Sequence, residues 1–315
     1  MEDAMKHPTE MIDALRARAK GELILPGDSI YDEARTIWNA MIDRRPAAIL
    51  RCADADDVEA GLAVASLTGA SVSVKSGGHN ISGSALVEGG LTLDLSGLRE
   101  VVIDPASRRA VAAPGALLGD MDAAAGVHGL ALPVGINSTT GLAGLTLGGG
   151  YGWLTRRFGL TIDNLSAVEI ATPAGERLRA SATEEPDLFW ALRGGSGNFG
   201  VVTRFEYDLC ELPHDVTAGL IVHPAARGAE ALQELRDLAP SLPDELTVWA
   251  VLRKAPPLPF LDEAHHGAPV VVFACCWCGS PEGADKALAP VRAIGVPLGE
   301  AIGPQPLTAW QTAFD

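Results

Sequence analysis

The segment Val74-Lys75-Ser76-Gly77-Gly78-His79-Asn80-Ile81-Ser82-Gly83 follows directly on a β-rich run. Two adjacent glycines allow the backbone to turn sharply and to approach a ligand closely, and a histidine at the end of such a turn is well placed to meet that ligand. Because Gly-Gly-His turns are common on surface loops, this motif alone is a weak signal. Two further glycine clusters, at residues 135–152 and 194–200, strengthen it.

Composition excludes several classes of protein. The chain has 315 residues, 47% of them hydrophobic, which excludes a disordered protein. No run approaches the roughly 18 consecutive apolar residues that cross a bilayer, and the polar N-terminus has no apolar signal core behind it. A formal net charge of −16 repels phosphate backbones. The sequence therefore predicts a soluble, cytoplasmic protein without a membrane or nucleic-acid partner, in which an anionic cofactor would bind through backbone N–H groups.

The cysteines predict neither a disulfide framework nor a metal site. The chain has an odd number of cysteines and the character of a cytoplasmic protein, so we expect no disulfide framework. The five cysteines are Cys52, Cys210, Cys275, Cys276 and Cys278. The last three lie downstream of His265 and His266, but their spacing matches no zinc pattern. Cys275 and Cys276 also fall in the apolar run 269–277 and Cys278 directly follows it, so we interpret the cluster as the core of a buried strand and expect no metal.

The first residues predict a small parallel α/β unit. Helices are predicted at residues 8–20 and, with Asp28 as N-cap, at residues 29–42. A strand at 47–51, a helix at 54–67 and a strand at 71–74 follow, and this β-α-β order is typical of a parallel sheet with a right-handed crossover.

The next residues predict an antiparallel unit. Hairpins are indicated at residues 100–113 and 166–180, and a long strand at 201–209. We expect an α+β fold in which these two unlike sheets, separated by the glycine clusters, enclose a large flat ligand.

The remaining chain predicts a third layer of β-α-β-β-α-β order, which is typical of a ferredoxin-like fold. Its predicted elements are strand 217–223, helix 226–238, strands 246–253 and 269–277, helix 281–293 and strand 296–302.

Gly195-Ser196-Gly197-Asn198-Phe199-Gly200 has the letters of the dinucleotide fingerprint G-x-G-x-x-G. That fingerprint needs a strand before it and a helix after it, so that the helix N-terminus meets the pyrophosphate. Here the predicted order is reversed, with helix 187–192 before and strand 201–209 after. A nicotinamide-dependent dehydrogenase that uses this motif is therefore a disfavoured rival interpretation.

The middle cluster has seven glycines among the 18 residues from Gly135 to Gly152. Such density has a high entropic cost if the segment merely connects two elements. A loop held against the rings and phosphates of a ligand would justify that cost. The alternative is a glycine-rich packing loop between helices.

Four blocks of sequence together carry a family resemblance. The chain resembles the FAD-linked oxidases of the berberine bridge enzyme type, which belong to the vanillyl-alcohol-oxidase/para-cresol-methylhydroxylase flavoprotein fold. The blocks are residues 74–83, 133–153, 157–164 and 186–203. The resemblance is strong over residues 28–210 and weak elsewhere. It implies a helical lead-in at 1–28, a PCMH-type FAD-binding domain of two subdomains at 29–213, and a partial substrate-binding domain at 214–315.

The family resemblance also implies the cofactor site, with FAD between the two N-terminal subdomains. Backbone N–H groups from Val74 to Asn80, namely those of Val74, Lys75, Ser76, Gly77, Gly78, His79 and Asn80, would hold the pyrophosphate. Further positions would line the cofactor: Gly141, Leu142, Ala143, Gly144, Leu145, Tyr151 and Val201. His79 matches the histidine that is bonded covalently to the flavin 8α-methyl carbon, a role that suits an imidazole because it is nucleophilic near pH 7.

The chain departs from the family pattern in two places. Many relatives have a cysteine that makes a second covalent link to the flavin, and Asn137 stands at the matching position. We therefore expect one link only, and Asn137 can instead hydrogen-bond the ring. Relatives also continue past the substrate domain and return to the flavin domain, whereas this sequence stops at Asp315, so we expect a fragment or a natively short form and assign no catalytic base.

The resemblance implies an FAD-dependent oxidoreductase that passes hydride from a substrate C–H beside oxygen or nitrogen to flavin N5, with dioxygen as electron acceptor. Its substrate would be a small molecule such as a sugar, a secondary alcohol or an alkaloid-like amine. Two alternatives stay open besides the dehydrogenase: a non-catalytic flavin-binding protein, and a flavin reductase of cell-wall precursor synthesis, although those reductases lack a histidine anchor.

Overall fold

A computed structural model describes residues 7–315 of the protein. Its α-helices are α1 (His7–Arg18), α2 (Tyr31–Ala34), α3 (Ala55–Thr68), α4 (Leu118–Gly126), α5 (Leu142–Leu147), α6 (Thr155–Phe158), α7 (Pro186–Gly195), α8 (Gly228–Leu238), α9 (Ala284–Arg292) and α10 (Leu307–Gln311). Its strands are β1 (Glu22–Ile24), β2 (Ala48–Arg51), β3 (Val72–Lys75), β4 (Leu91–Asp94), β5 (Val101–Asp104), β6 (Arg109–Ala112), β7 (Leu130–Ala131), β8 (Leu165–Ala171), β9 (Arg177–Ser181), β10 (Val201–Asp208), β11 (Cys210–Glu211), β12 (Val216–Pro224), β13 (Leu246–Lys254), β14 (Pro269–Trp277) and β15 (Gly299–Gln305).

The first sheet contains the predicted parallel unit. Its strand order is β1-β2-β4-β3, and β2 and β3 both pair with β4 in parallel. All four residues of β4 are buried, as expected for the central strand of a parallel sheet. The predicted β-α-β order is confirmed, with β4 lying between the two strands of that unit.

The N-terminal segment is built into this first sheet. Strand β1 pairs with β2, and Met11 and Leu15 of α1 pack in the same core as Leu50 and Val58. The buried Asp57 carboxylate of α3 holds the segment before β1 next to the end of β2. It accepts hydrogen bonds from the backbone N–H groups of Lys20 (2.7 Å), Gly21 (2.9 Å) and Ala53 (2.8 Å). The division of the chain at residue 28 stays a prediction.

The predicted helix at residues 29–42 is wrong beyond α2. After Ala34 the chain lies along the His79 turn, where the Trp38 N–H donates to the Gly78 carbonyl at 3.1 Å. The Arg44 guanidinium donates to the carbonyls of Gly83 (2.6 Å) and Leu86 (2.9 Å). Because these contacts need an extended, irregular backbone, they override the local apolar periodicity.

The second sheet is antiparallel, with strand order β5-β6-β10-β8-β9, and both predicted hairpins are confirmed. Helices α4 and α5 share an apolar core with strands β8 and β10 of this sheet. The Thr146 hydroxyl of α5 hydrogen-bonds the buried Tyr207 hydroxyl of β10 at 2.8 Å. Helix α5 lies in the glycine-rich segment interpreted as a loop; Leu142 and Leu147 give it a buried face that the glycine content concealed.

The third sheet has strand order β13-β14-β12-β15, all antiparallel, and helices α8 and α9 complete the predicted ferredoxin-like order. Strand β15 begins at Gly299, three residues after the predicted start. Gly295 adopts a φ of +52° and Pro297 lacks an N–H donor, so the apolar run before Gly299 does not continue the ladder.

Cys275 and Cys276 of β14 form strand core, as predicted, and Cys278 directly follows the strand. Cys275, Cys276 and Cys278 are buried and free. Within residues 7–315, no group of three or more His, Cys, Asp or Glu side chains is placed to hold a metal ion. In the same range no helix has the length and apolar character to cross a membrane.

The third sheet packs against the second unit. Trp153 and Leu154 share a core cluster with Ala274 and Cys276 of β14. The Thr247 hydroxyl of β13 donates to the Trp153 carbonyl at 2.7 Å, and the Arg157 guanidinium donates to the Cys278 carbonyl at 2.6 Å. These contacts set one face of the third sheet over the glycine-rich segment.

Helix α10 returns to α4 through a buried polar contact. The Gln311 amide nitrogen donates to Asp122 Oδ2 and to the Gly135 carbonyl, each at 3.0 Å. Burial raises the pKa of Asp122 to about 7, and the hydrogen bond from Gln311 only partly opposes that rise. Asp122 Oδ1 has no partner among the described residues.

We predict that Asp57→Ala lowers the free energy of unfolding by about 3 kcal/mol, because it leaves backbone donors unpaired in a poorly solvated turn. Urea denaturation measures the loss. The matched control is Asp56→Ala, which removes an exposed carboxylate paired with Lys20 and Arg177 and should cost about 1 kcal/mol or less. Equal losses in the two variants would contradict the role given to Asp57.

We predict that Asp122 makes stability fall as pH rises from about 4 to about 7. In that window the folded protein holds a proton that the unfolded chain has released, because the folded pKa is about 7. The slope is at most about 1.4 kcal/mol per pH unit. Asp122→Asn cannot ionise, so its advantage in urea denaturation should be larger at pH 8 than at pH 5. An advantage independent of pH would refute this assignment.

Candidate functional site

Two adjoining cavities, of about 330 Å³ and 350 Å³, form one groove between the first two sheets. The residues common to both cavities are Val74, Ser76, Ser84, Gly144 and Ser196. Among residues 7–315, no Lys, Arg, Asp or Glu lines either cavity. Polar recognition in this groove therefore depends on neutral side chains and on the backbone.

The groove exists because two loops touch backbone to backbone. A Cβ atom placed on Gly77 would lie 2.3 Å from the Gly141 nitrogen, and one placed on Gly141 would lie 2.5 Å from the Gly77 nitrogen. No side chain fits at either position. The turn continues through Gly78 at a φ of +70°, a conformation that favours glycine.

The turn after β3 presents a run of free backbone donors. Within the described residues, no N–H group from Ser76 to Asn80 donates a hydrogen bond to a protein acceptor. All five of these residues line the groove. Because unpaired backbone donors call for a partner, consecutive free N–H groups in a neutral groove suit an anionic ligand such as a pyrophosphate.

His79 lies at the edge of the groove, half-buried and held on several sides. Its ring stacks on Trp38, with centroids 5.6 Å apart and an interplanar angle of 24°. Nε2 lies 3.3 Å from the Thr139 hydroxyl and Nδ1 lies 3.4 Å from the Thr140 hydroxyl. Burial lowers the pKa of His79, and a hydrogen bond with the Thr139 backbone partly opposes this, so the imidazole is neutral and nucleophilic near pH 7.

Comparison with known proteins identifies relatives of this chain. The FAD binding domain family matches residues 46–181. The (R)-6-hydroxynicotine oxidase of Paenarthrobacter nicotinovorans is 37% identical over 283 residues, which are 90% of this chain and 60% of that protein. The xylooligosaccharide oxidase of Thermothelomyces thermophilus is 32% identical over 246 residues, which are 75% of this chain and 49% of that protein.

Comparison with solved structures finds proteins of the same kind. The 6-hydroxy-D-nicotine oxidase of Arthrobacter nicotinovorans superposes with a TM-score of 0.84 at 34% identity, covering 93% of this chain and 63% of that one. The chain belongs to the FAD-linked oxidases of the berberine bridge enzyme type. A berberine-bridge-enzyme-like protein of Physcomitrella patens shares the fold at a TM-score of 0.85 and 22% identity, over 96% of this chain and 64% of that one. This chain spans about 60% of the length of the (R)-6-hydroxynicotine oxidase.

The groove contains eleven of the fifteen residues predicted to bind the cofactor of this family: Val74, Ser76, Gly77, Gly78, His79, Asn80, Gly141, Ala143, Gly144, Leu145 and Val201. Its size, its neutral lining and its free N–H donors fit an extended dinucleotide such as FAD. A Cβ on Gly144 would meet no protein atom within 4 Å, so the wall there faces open space.

The other four predicted residues lie outside the groove lining. Lys75 points behind the turn, where its ammonium donates to the Ala34 carbonyl at 2.6 Å and lies 3.9 Å from the buried Asp94 carboxylate. Burial lowers the pKa of Lys75, and Asp94 opposes this. Leu142 is buried in the core of the second unit, with 1% of its surface exposed.

Tyr151 and Asn137 lie at the side of the groove that faces the third sheet. Tyr151 is 66% exposed, and its ring centroid lies 5.7 Å from that of Trp249 on β13. The Asn137 side chain bonds to Thr139 and to the Phe314 carbonyl. Tyr151 thus contacts the third sheet and Asn137 contacts Phe314, and neither residue lines the groove.

Sequence reasoning missed Ser84, Thr140 and Ser196 as lining residues. The signal for Ser196 was present in the Gly195–Gly200 motif, which lacks the context of a dinucleotide fingerprint: α7 precedes it and β10 follows it. The motif serves the groove in another way, because Ser196 adopts a φ of +57° and places its loop against both cavities.

The middle glycine cluster combines both interpretations made from the sequence. Gly141 and Gly144 line the groove. Gly150 and Gly152 are packing glycines, since an added Cβ would lie 2.3 Å from the Thr161 hydroxyl oxygen and 2.0 Å from the Val134 carbonyl oxygen, respectively.

We predict that alanine at two neighbouring glycines separates folding from FAD binding. Gly144→Ala meets no protein atom and adds helix propensity, so the thermal stability of the flavin-free protein should hold or rise while FAD affinity falls about tenfold. Gly141→Ala should lower both, because its Cβ collides with Gly77. Differential scanning fluorimetry and FAD titration measure the two effects. Unchanged FAD affinity in Gly144→Ala would contradict the placement of FAD in this groove.

Proposed function

We propose that the protein is an FAD-dependent oxidase of small molecules. The observation that carries this proposal is the neutral groove in which free N–H donors and one neutral imidazole stand together. FAD bound there supplies a hydride acceptor for a substrate C–H bond beside oxygen or nitrogen. The relatives named above as oxidases support the same reaction class.

In this proposal the chain's own residues hold FAD by three means. The N–H groups of residues 76–80 hydrogen-bond the pyrophosphate, which lets an acidic protein bind an anion without a cationic side chain. Gly141 and Gly144 leave room for the rings. Val201 at the start of β10 closes the far cavity.

We further propose that His79 anchors the flavin covalently at its 8α-methyl carbon. Its neutral imidazole lies at the cavity edge, and a covalent bond would prevent loss of the cofactor. Asn137 provides no thiol for a second link, so the proposal contains one attachment.

The substrate would lie between the groove and the third sheet, where Tyr151 and Trp249 form an aromatic surface. This surface suits a small molecule with an apolar face, and the named relatives include oxidases of 6-hydroxynicotine and of xylooligosaccharides. Dioxygen is the proposed electron acceptor and the cytoplasm the proposed location.

We predict that protein precipitated with acid retains its flavin and that His79→Ala releases it into the supernatant, because only a covalent bond survives unfolding. Absorbance of the pellet and supernatant measures this. The matched control is the exposed His128→Ala, which should retain its flavin. Flavin freed from the unsubstituted protein would exclude the link, and yellow protein that no sugar, alcohol or amine donor bleaches without oxygen would favour the non-catalytic alternative.

A further inference from the structure

Three side chains beside the groove form a hydrogen-bonded series that ends on His79. The Asn137 amide oxygen Oδ1 accepts from the Thr139 N–H at 3.1 Å and from the Thr139 hydroxyl at 2.6 Å. The same hydroxyl oxygen lies 3.3 Å from His79 Nε2.

The orientation of the Asn137 amide is fixed from both ends. A backbone N–H can only donate, so the atom that faces the Thr139 N–H must be the oxygen. The Phe314 carbonyl can only accept, so the atom that faces it at 3.4 Å must be the amide nitrogen.

This orientation determines the direction of the next bond. With Asn137 Oδ1 as acceptor, the single hydroxyl proton of Thr139 is committed to that oxygen at 2.6 Å. The Thr139 oxygen can then only accept from His79, so Nε2 carries the imidazole proton. In a neutral imidazole the other nitrogen, Nδ1, holds the free electron pair.

We propose that Thr139 and Asn137 are positioning residues that hold His79 as its Nε2–H tautomer and thereby make Nδ1 the nitrogen that attacks the flavin. This proposal rests on the covalent attachment proposed above. Thr140 is compatible with it: its hydroxyl has no other acceptor among the described residues and can donate to Nδ1 across 3.4 Å, a long contact that is easily displaced.

The attachment step explains why such a series would help. The step forms an Nδ1–C8α bond and breaks one C8α–H bond; the proton of that bond is released, and the two electrons lost by the carbon remain in the flavin until dioxygen takes them to give hydrogen peroxide. Since Nε2 keeps its proton, the imidazole becomes cationic in the same step. Donation from Nε2 to Thr139 becomes charge-assisted as that happens, and the Trp38 face stabilises the cation.

The test uses the full chain produced under riboflavin limitation and then supplied with FAD. The rate at which acid-stable flavin appears is measured from pH 5.5 to 8.5 for Thr139→Val, which loses the hydroxyl, and Thr139→Ser, which keeps it. The control is Ser138→Ala, which loses a neighbouring hydroxyl bonded to Asp315 rather than to the imidazole. Non-covalent FAD binding and thermal unfolding of each variant check that it folds.

We expect Thr139→Val to attach flavin about tenfold more slowly, because it loses a hydrogen bond to a developing charge. Its rate should reach half-maximum at a lower pH than that of the unsubstituted protein, since removal of an acceptor disfavours the imidazolium. Thr139→Ser should restore both values to within about twofold, and Ser138→Ala should match the unsubstituted protein. A Thr139→Val variant with an unchanged rate and pH midpoint would overturn the proposal.

Two readouts identify the nitrogens directly. The ¹⁵N spectrum of the flavin-free protein, with the His79 signals assigned by their loss in His79→Ala, should show a protonated Nε2 and an unprotonated Nδ1 above pH 7. The flavinyl peptide released by protease should carry C8α on Nδ1. Attachment at Nε2, or the opposite tautomer, would refute the proposal. Absence of any acid-stable flavin would refute the covalent link itself, while the spectrum would still report the tautomer.

Discussion

The backbone contact between Gly77 and Gly141 is the constraint on which the rest of the site depends. It joins the turn after β3, in the parallel sheet, to the start of α5, which packs on the antiparallel sheet. The two units also share apolar packing, because Ala171 of β8 and Val201 of β10 lie in the same core cluster as Leu93 of the first sheet. The glycine contact adds a close approach of the two backbones beside that packing, and the groove with its free N–H donors lies next to it.

The electrostatics of the groove follow from the same arrangement. The chain carries a net charge of −16, yet no Lys, Arg, Asp or Glu of the part that the structure describes lines the groove. Lys75, the one cationic residue predicted to bind the cofactor, points away from the groove. Its ammonium group contacts the Ala34 carbonyl and the Asp94 carboxylate instead. An anionic cofactor would therefore meet oriented backbone dipoles, which need no counter-ion and do not compete with the acidic surface.

The order of elements could be predicted from the sequence where hydrophobic periodicity is matched by local turn chemistry. The hairpin of β5 and β6 and the β-α-β-β-α-β order of the third layer are examples. Prediction failed where a contact with residues distant in sequence determines the local backbone conformation. The residues after Ala34 lie along the His79 turn instead of continuing a helix. The segment of α5 is helical because its leucines pack in the core of the second sheet. The site residues also fall into two groups, those that the sequence could identify and those that it could not. Glycines and His79 could be identified because their type limits their role, whereas the side-chain directions of Lys75 and Leu142 depend on which face of an element is buried.

The position of Asn137 connects these points. In the family resemblance this position carries the thiol of a second flavin link, and here its amide instead turns toward Thr139 and, through it, toward His79. In the proposed attachment, with a single histidine as anchor, the protonation state of that imidazole would control whether the cofactor is attached. The Asn137 amide is held at both ends, by a backbone N–H and by the Phe314 carbonyl, and in our proposal this would select one tautomer of His79. Under that proposal, the amide at this position would control the single covalent bond, where many relatives have a thiol that makes a second one.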